Sequence, residues 1–287
     1  MSLKLMYITN RPEIARIAEN AGVDRIFIDM EYIGKADRQG GMDTVQLHHS
    51  VKDVQRIRAV VKKSELLVRV NPIHEAGCYM GMEHDSSENE INAVIDAGAD
   101  IVMLPYFKTL EELQRFIRIV TGRAKTMALV ETVEAANLIK EISELYGLDM
   151  IHIGLNDLSL DQGKRFMFQL LADDTVDYLC DILKGSDKPY GFGGIAAPGS
   201  GMLPAEYIIR DHYRLGSSCV ILSRSFCDTE KITDLNEVQS IFTTGIQQIR
   251  QIELEAAEYT EKQYKENHNE VINRVHAVLD MIQARNH

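Results

Sequence analysis

Tryptophan is absent from the 287-residue chain, and cysteine is sparse, with only four. Those four, Cys78, Cys180, Cys219 and Cys227, lack any CxxC spacing. A disulfide scaffold and a zinc-knuckle site are therefore excluded, and buried free thiols are expected. No apolar run approaches the roughly 18 residues of a membrane helix, and no charged start leads into an apolar stretch. A soluble, cytoplasmic protein with no membrane partner is the expectation. Positive charge is also short: 31 Lys and Arg stand against 43 Asp and Glu, a net charge of −12. Such a chain repels phosphate backbones, so nucleic acid is excluded as a partner. An anionic small molecule would need a local positive element, a metal ion or an arginine. What the chain does have is apolar bulk. Hydrophobic residues make up 45%, enough for a large core and too many for disorder.

The apolar residues fall into short β-rich runs that alternate with amphipathic segments. Strands are expected at Lys4 to Ile8, Arg25 to Asp29, Leu66 to Val70, Ile101 to Leu104, Thr126 to Val130, Met150 to Ile153, Tyr190 to Ile195 and Cys219 to Leu222. Helices are expected between them. One starts at Pro12, with Asn10 as its cap. Another starts at Thr109, with Glu112 three residues on as in a capping box. A third is capped by Thr132 and runs to about Leu145. Polar stretches at Gly34 to Asp43 and His74 to Asn89 read as long functional loops. Runs such as IVML and LLVRV suit strands buried on both faces, as in a parallel sheet. Eight βα units close into a barrel, so the fold class is α/β, a (β/α)8 or TIM barrel with additional C-terminal helices. An open doubly wound sheet is the alternative, but no GxGxxG follows an early strand. Residues 1–232 are expected to form the catalytic barrel. Residues 233–287 are expected to form a helical extension packed on the barrel or on a neighbouring subunit.

Barrel active sites lie at the C-terminal ends of the strands. Polar residues gather there: Asp29 and Glu31, Arg69 and Asn71, Glu131, Asn156 and Asp157, Ser223 and Arg224. Glu131 directly follows a buried apolar strand, where a carboxylate is costly unless paired or bound to metal. Asp157 follows the next strand after Gly154. Two carboxylates on adjacent strand ends suit Mg2+, with Mn2+ or Co2+ as other divalent ions. A helix-start acid for Glu131 and a turn or cap acid for Asp157 are the structural alternatives. Arg69 is matched to a substrate carboxylate, or else to an internal salt bridge with Asp29 or Glu31. His74, Cys78 and His84 lie in a loop that reads either as a lid or as a second metal site. GFGGIAAPGSG reads either as a phosphate cradle or as a tight barrel corner.

The runs AGVDRIFIDMEY, LLVRVNP, INAVIDAGADIVMLPYFKT, ALVETVEAA and IHIGLNDLS resemble the HpcH/HpaI aldolase and citrate lyase β-subunit family, over roughly residues 12 to 225. The resemblance implies a metal-dependent pyruvate-type lyase, with Glu131 and Asp157 as metal ligands. It implies that Arg69 holds the carboxylate of a 2-oxo acid, with backbone amides near Leu155 and Asn156 helping. It also implies a homo-oligomer. The aldolases of the family carry a Glu-His pair that supplies the base. Here Tyr32 follows Glu31, and His49, or else His48, is the expected catalytic base, His49 standing four residues before Asp53. The run Asp29, Glu31, Lys35, Arg38 is similar to the citrate lyase side. The expectation is an aldolase acting on a 2-oxo acid. The alternatives are an acyl-CoA lyase, a phosphate-binding barrel isomerase, and a non-catalytic metabolite-binding protein.

Overall fold

The computed structural model describes residues 2–35 and 49–285. Eight parallel strands close a barrel in the order β1 (Lys4–Ile8), β10 (Cys219–Leu222), β9 (Tyr190–Ile195), β8 (Met150–Ile153), β7 (Lys125–Val130), β6 (Ile101–Leu104), β3 (Glu65–Arg69) and β2 (Arg25–Asp29). The strand residues are dictated by the need to bury two faces. In β6, Ile101 and Met103 point into the barrel, while Val102 and Leu104 face the surrounding helices. The interior is filled chiefly by long flexible side chains: Met6, Met103, Met127 and Met150 pack there with Phe27 and Leu67. The outer layer is a single continuous core between strands and helices.

Among the described residues nine outer helices precede β9: α1 (Pro12–Ala21), α2 (Val51–Val60), α3 (Ser87–Asp96), α4 (Leu110–Val120), α5 (Val133–Asn137), α6 (Ile139–Glu144), α7 (Leu155–Asp161), α8 (Gln169–Ala172) and α9 (Thr175–Leu183). α10 (Ala205–Arg214) joins β9 to β10, and α11 (Leu235–Ala257) and α12 (Glu261–Arg285) follow the barrel. The Thr109–Glu112 capping box is present at α4. The cap residue of α1 is Arg11 rather than the expected Asn10, and it makes no side-chain cap bond. The stretch from His74 to Asn89, expected as a loop, holds an antiparallel hairpin of β4 (Gly77–Tyr79) and β5 (Met82–His84) and the start of α3. The helix expected from Thr132 to Leu145 is broken at Leu138 into α5 and α6. The Gly34 to Asp43 loop lies largely outside the described residues.

The C-terminal helices pack on the outer helices, α11 against α1 and α10, and α12 against α10 and α8. α11 also reaches the N-terminal end of β1. The Leu3 amide donates to Glu253 Oε1 at 2.6 Å, and Arg250 Nη1 donates to the Leu3 carbonyl at 2.9 Å. No helix among the described residues is long and apolar enough to cross a membrane.

Candidate active site

The C-terminal mouth of the barrel opens on a cavity of about 180 Å3, bordered by Arg69, Glu131, His152, Leu155, Asn156 and Asp157. Thus Arg69, both expected metal ligands and both expected carboxylate-binding positions share one chamber, delivered by three strand ends: β3 for Arg69, β7 for Glu131, and β8 for Leu155, Asn156 and Asp157. Its floor is apolar, from Phe27, Met103 and Leu129.

Glu131 follows β7 and is 2% exposed. Its Oε1 accepts the Tyr106 amide at 3.0 Å. Tyr106 takes a φ of 46°, a left-handed conformation that costs a non-glycine residue about 1–3 kcal/mol and is tolerated where function requires it. Beside Glu131, Thr132 fixes the start of α5: its hydroxyl accepts from the Ala135 amide and donates to the Phe107 carbonyl. Gly154 leaves the space Glu131 fills. A Cβ there would stand 2.8 Å from Glu131 Cβ and 2.9 Å from Oε2. Asp157 sits in the first turn of α7, which begins directly at Gly154 without a side-chain cap. Two carboxylates at the edge of one chamber are a donor set that suits a divalent oxygen-seeking cation.

Arg69 meets Asp29 side-on. Nε donates to Oδ1 at 2.8 Å and Nη2 to Oδ2 at 2.7 Å, while Nη1 lies 3.4 Å from Glu31 Oε2. Lys35 joins the same cluster, 2.9 Å from Asp29 and 3.5 Å from Glu31. Two cations and two anions therefore balance at the end of β2. Burial alone would raise the Asp29 carboxyl, but Arg69 and Lys35 hold it far below the usual carboxylate range. Asp29, with Glu31 and Glu131, overcomes the desolvation of the Arg69 guanidinium and keeps it charged. The internal salt bridge of Arg69 thus exists alongside its position on the cavity wall.

His49 is buried behind Asp29 and is not among the cavity-lining residues. Its Nδ1 accepts the Asp29 amide at 3.0 Å, so the neutral ring carries its proton on Nε2. Burial pushes its pKa down, against the opposing charges of Asp29 and Asp53. A ring held this way is a donor, which differs from the base expected of it. Asp53, four residues on, is a helix-start acid: Oδ2 accepts from Ser50 N at 2.9 Å and from Ser50 Oγ at 2.8 Å. His48 lies outside the described residues.

Asn71 ties the segment after β2 to α3. Its Oδ1 accepts the amides of Tyr32 and Ile33, both at 2.9 Å, and its Nδ2 donates to Glu90 Oε1 at 2.8 Å. Burial lifts Glu90 to about 7, against the two hydrogen bonds from Asn71.

His152 was hidden within the apolar run of β8 yet lines the cavity. Its Nε2 donates to the Gly193 carbonyl at 3.2 Å, and its Nδ1 stands 3.7 Å from Cys219 Sγ. Burial drops it to about 4, and the charges of Arg25 and Arg69 add to this against the Gly193 bond. The only available sequence signal was a lone histidine in an inward-facing strand position.

Other expectations meet different outcomes. In GFGGI, a Cβ at Gly191 would fall 2.1 Å from the Cys219 carbonyl, so close strand contact requires this glycine. His74 and His84 stack edge-on at 5.0 Å across the hairpin, and Cys78 is exposed. They form no three-ligand group among the described residues; Asp174, Asp177 and His268 do, within 4.8 Å. There, on the outer helices, Arg214 already donates to Asp177 at 3.0 Å and lies 2.9 Å from His268 Nδ1. A protein cation thus occupies that charge cluster.

A closed parallel barrel with two carboxylates and an arginine around one chamber at its C-terminal mouth defines a (β/α)8 protein with its polar site where barrel enzymes carry theirs. The chain belongs to the HpcH/HpaI aldolase/citrate lyase family, whose sequence model matches residues 4–167. The fold is shared with the HpcH/HpaI aldolase from Desulfitobacterium hafniense DCB-2, at 17% identity and a TM-score of 0.58, covering 87% of this chain and 93% of that one. It is shared with an HpcH/HpaI aldolase/citrate lyase family protein from Burkholderia cenocepacia J2315, at 16% and 0.60, covering 83% and 95%. The citrate synthase SbnG matches at 16% and 0.59, covering 83% and 94%. No curated protein matches the chain in sequence.

Proposed function

We propose that the chain is a divalent-metal-dependent carbon–carbon lyase that acts on a 2-oxo acid through a pyruvate-type enolate. The observation that carries this reading is that Glu131, Asp157 and Arg69 border one chamber at the C-terminal mouth. Glu131 and Asp157 would hold the ion, Mg2+ by its preference for carboxylate oxygens. When bound, the ion supplies Lewis-acid stabilisation of negative charge developing on the keto oxygen.

The protein's own groups do the rest. Arg69, held by Asp29, presents a fixed cation toward the substrate carboxylate. Leu155 and Asn156 border the same chamber, where their amides would assist. The apolar floor keeps water from the reacting carbons. In cleavage of a 4-hydroxy-2-oxo acid the C3–C4 bond breaks. Its electron pair becomes the enolate, the hydroxyl proton leaves through solvent at the mouth, and an aldehyde departs. A proton then returns to C3 and gives pyruvate. His49 braces the Asp29 main chain in this scheme. Family resemblance also supports a homo-oligomer, and the helices from about residue 233, α11 and α12, would serve as an extension of the barrel.

The test is exchange of the pyruvate methyl protons with deuterated water, followed by NMR. Mg2+ should support exchange, and EDTA or Glu131→Gln should abolish it. Full exchange in excess EDTA would overturn the reading.

A further inference from the structure

A second and larger chamber, of about 460 Å3, adjoins the first. Asn156, Met167 and Gly194 border both, so whatever extends from the first chamber past these residues enters the second. The second chamber is built from two segments. One is the turn between α7 and α8, which supplies Phe166 and Phe168, their rings edge-on at 5.3 Å. The other is the loop between β9 and α10, which supplies Met202 and Leu203. Both phenylalanines and Leu203 are buried, yet Met202 is 62% exposed. A large apolar side chain left open on the wall of a recess gains most when an apolar group covers it. Charge and hydroxyl groups border it at Arg165 and Ser225, both exposed, and at the half-buried Ser223.

We propose that this chamber takes the side chain of the aldehyde partner, and that this partner has an apolar body, aromatic or branched aliphatic, rather than a hydroxylated one. The inference rests on the lyase reading and names its second substrate class. With the 2-oxo acid end in the first chamber, the substituent on C4 is the part that passes between Met167 and Gly194. Hydroxyl groups facing the phenylalanine, methionine and leucine that make up most of the side-chain wall would give up water for surfaces that return no hydrogen bonds. A phenyl or branched alkyl group loses nothing by that exchange and covers Met202. In the reaction the substrate's C3–C4 bond breaks, and the hydroxyl-bearing C4 leaves as the carbonyl carbon of the apolar aldehyde. Pyruvate forms by proton return to C3, and no oxidant or reductant is needed.

The experiment compares cleavage of 4-hydroxy-2-oxobutanoates bearing phenyl, isopropyl or hydroxymethyl at C4, with Mg2+ present, beside methyl-proton exchange in pyruvate. The phenyl and isopropyl compounds should exceed the hydroxymethyl compound at least tenfold in kcat/KM, the discrimination that apolar pockets give. Met202→Asp should shrink that preference at least tenfold, and Met202→Leu should keep it. Exchange in pyruvate with equal or reversed preference among the three compounds would overturn the inference and leave the lyase reading standing. A preference unmoved by Met202→Asp would overturn it as well. Absence of exchange would overturn the lyase reading and this inference with it.

Discussion

Arg69 and Asp29 meet through two parallel hydrogen bonds, Nε to Oδ1 at 2.8 Å and Nη2 to Oδ2 at 2.7 Å. The pair joins neighbouring strand ends, since Asp29 is the register partner of Arg69 between β2 and β3. One oxygen of Asp29 also takes Lys35. The fork is therefore oriented before any ligand arrives, which lowers the entropy lost on binding. Asp29→Asn leaves Arg69 and Lys35 with Glu31 as their remaining ion-pair partner among the described residues. Breaking a buried pair from one side costs about 3–5 kcal/mol. Urea unfolding at pH 7 should show a loss of that size, and a loss below about 1 kcal/mol would show that the pair does not hold this corner. The Asp29 carboxyl is depressed, so its contribution is present at neutral pH and fades as the solution is acidified through the carboxylate range.

Gly154 offers a sharper probe of Glu131. Its φ of −83° is open to alanine, so Gly154→Ala brings no backbone strain. Its effect comes through the 2.8 Å and 2.9 Å approaches to Glu131. The variant should fold, yet lose about 10–100-fold in Mg2+ affinity, as displaced ligand shells do. Thermal shift against added Mg2+ measures this, and an unchanged Mg2+ response would refute the placement of Glu131 at the ion.

Glu90 makes stability fall as the solution rises from acid toward neutral pH. Its folded pKa is raised to about 7, from an ordinary 4.5. Below pH 4.5 both folded and unfolded forms carry the proton. As pH rises from 4.5 to 7 the unfolded chain releases it first, and about 3 kcal/mol of stability is lost. Glu90→Gln should remove that slope and stabilise the protein at pH 8. Denaturant midpoints of both proteins between pH 5 and pH 8 decide the point.

His152 acts in the opposite direction. It is lowered to about 4, and His212, stacked on Phe192, to about 3. A histidine depressed by burial binds its proton in the unfolded chain first, so stability falls as pH drops below the ordinary 6.5. Nitrogen-15 NMR at pH 5.5 should find both rings neutral, with His152 protonated on Nε2. A charged His152 at that pH would contradict the buried geometry.

The barrel was legible because each inner strand must be apolar on both faces, and a run such as IVML states that outright. The ends of those strands were legible too: Arg69, Glu131 and Asp157 stand where apolar runs stop, and they meet in one chamber. The hairpin from Gly77 to His84 was not. Its turn places Met80 and Gly81 at positive φ, and methionine at such a position carries no turn signature. α7 was missed because it starts at Gly154 with no capping side chain. The partners of Arg69 could be narrowed to Asp29 or Glu31 but not chosen, since strand register is a long-range property. His49 could be placed near the mouth by spacing, whereas its tautomer depends on which backbone amide it meets.

The bonds between Leu3 and α11 link the beginning of β1 to Arg250 and Glu253. β1 also pairs with β10 at Cys219 through Leu222. β1 lies between β2, its near neighbour in sequence, and β10. Ring closure thus joins distant segments of the chain, and chains truncated before α11 should be protease-sensitive along the β1 edge.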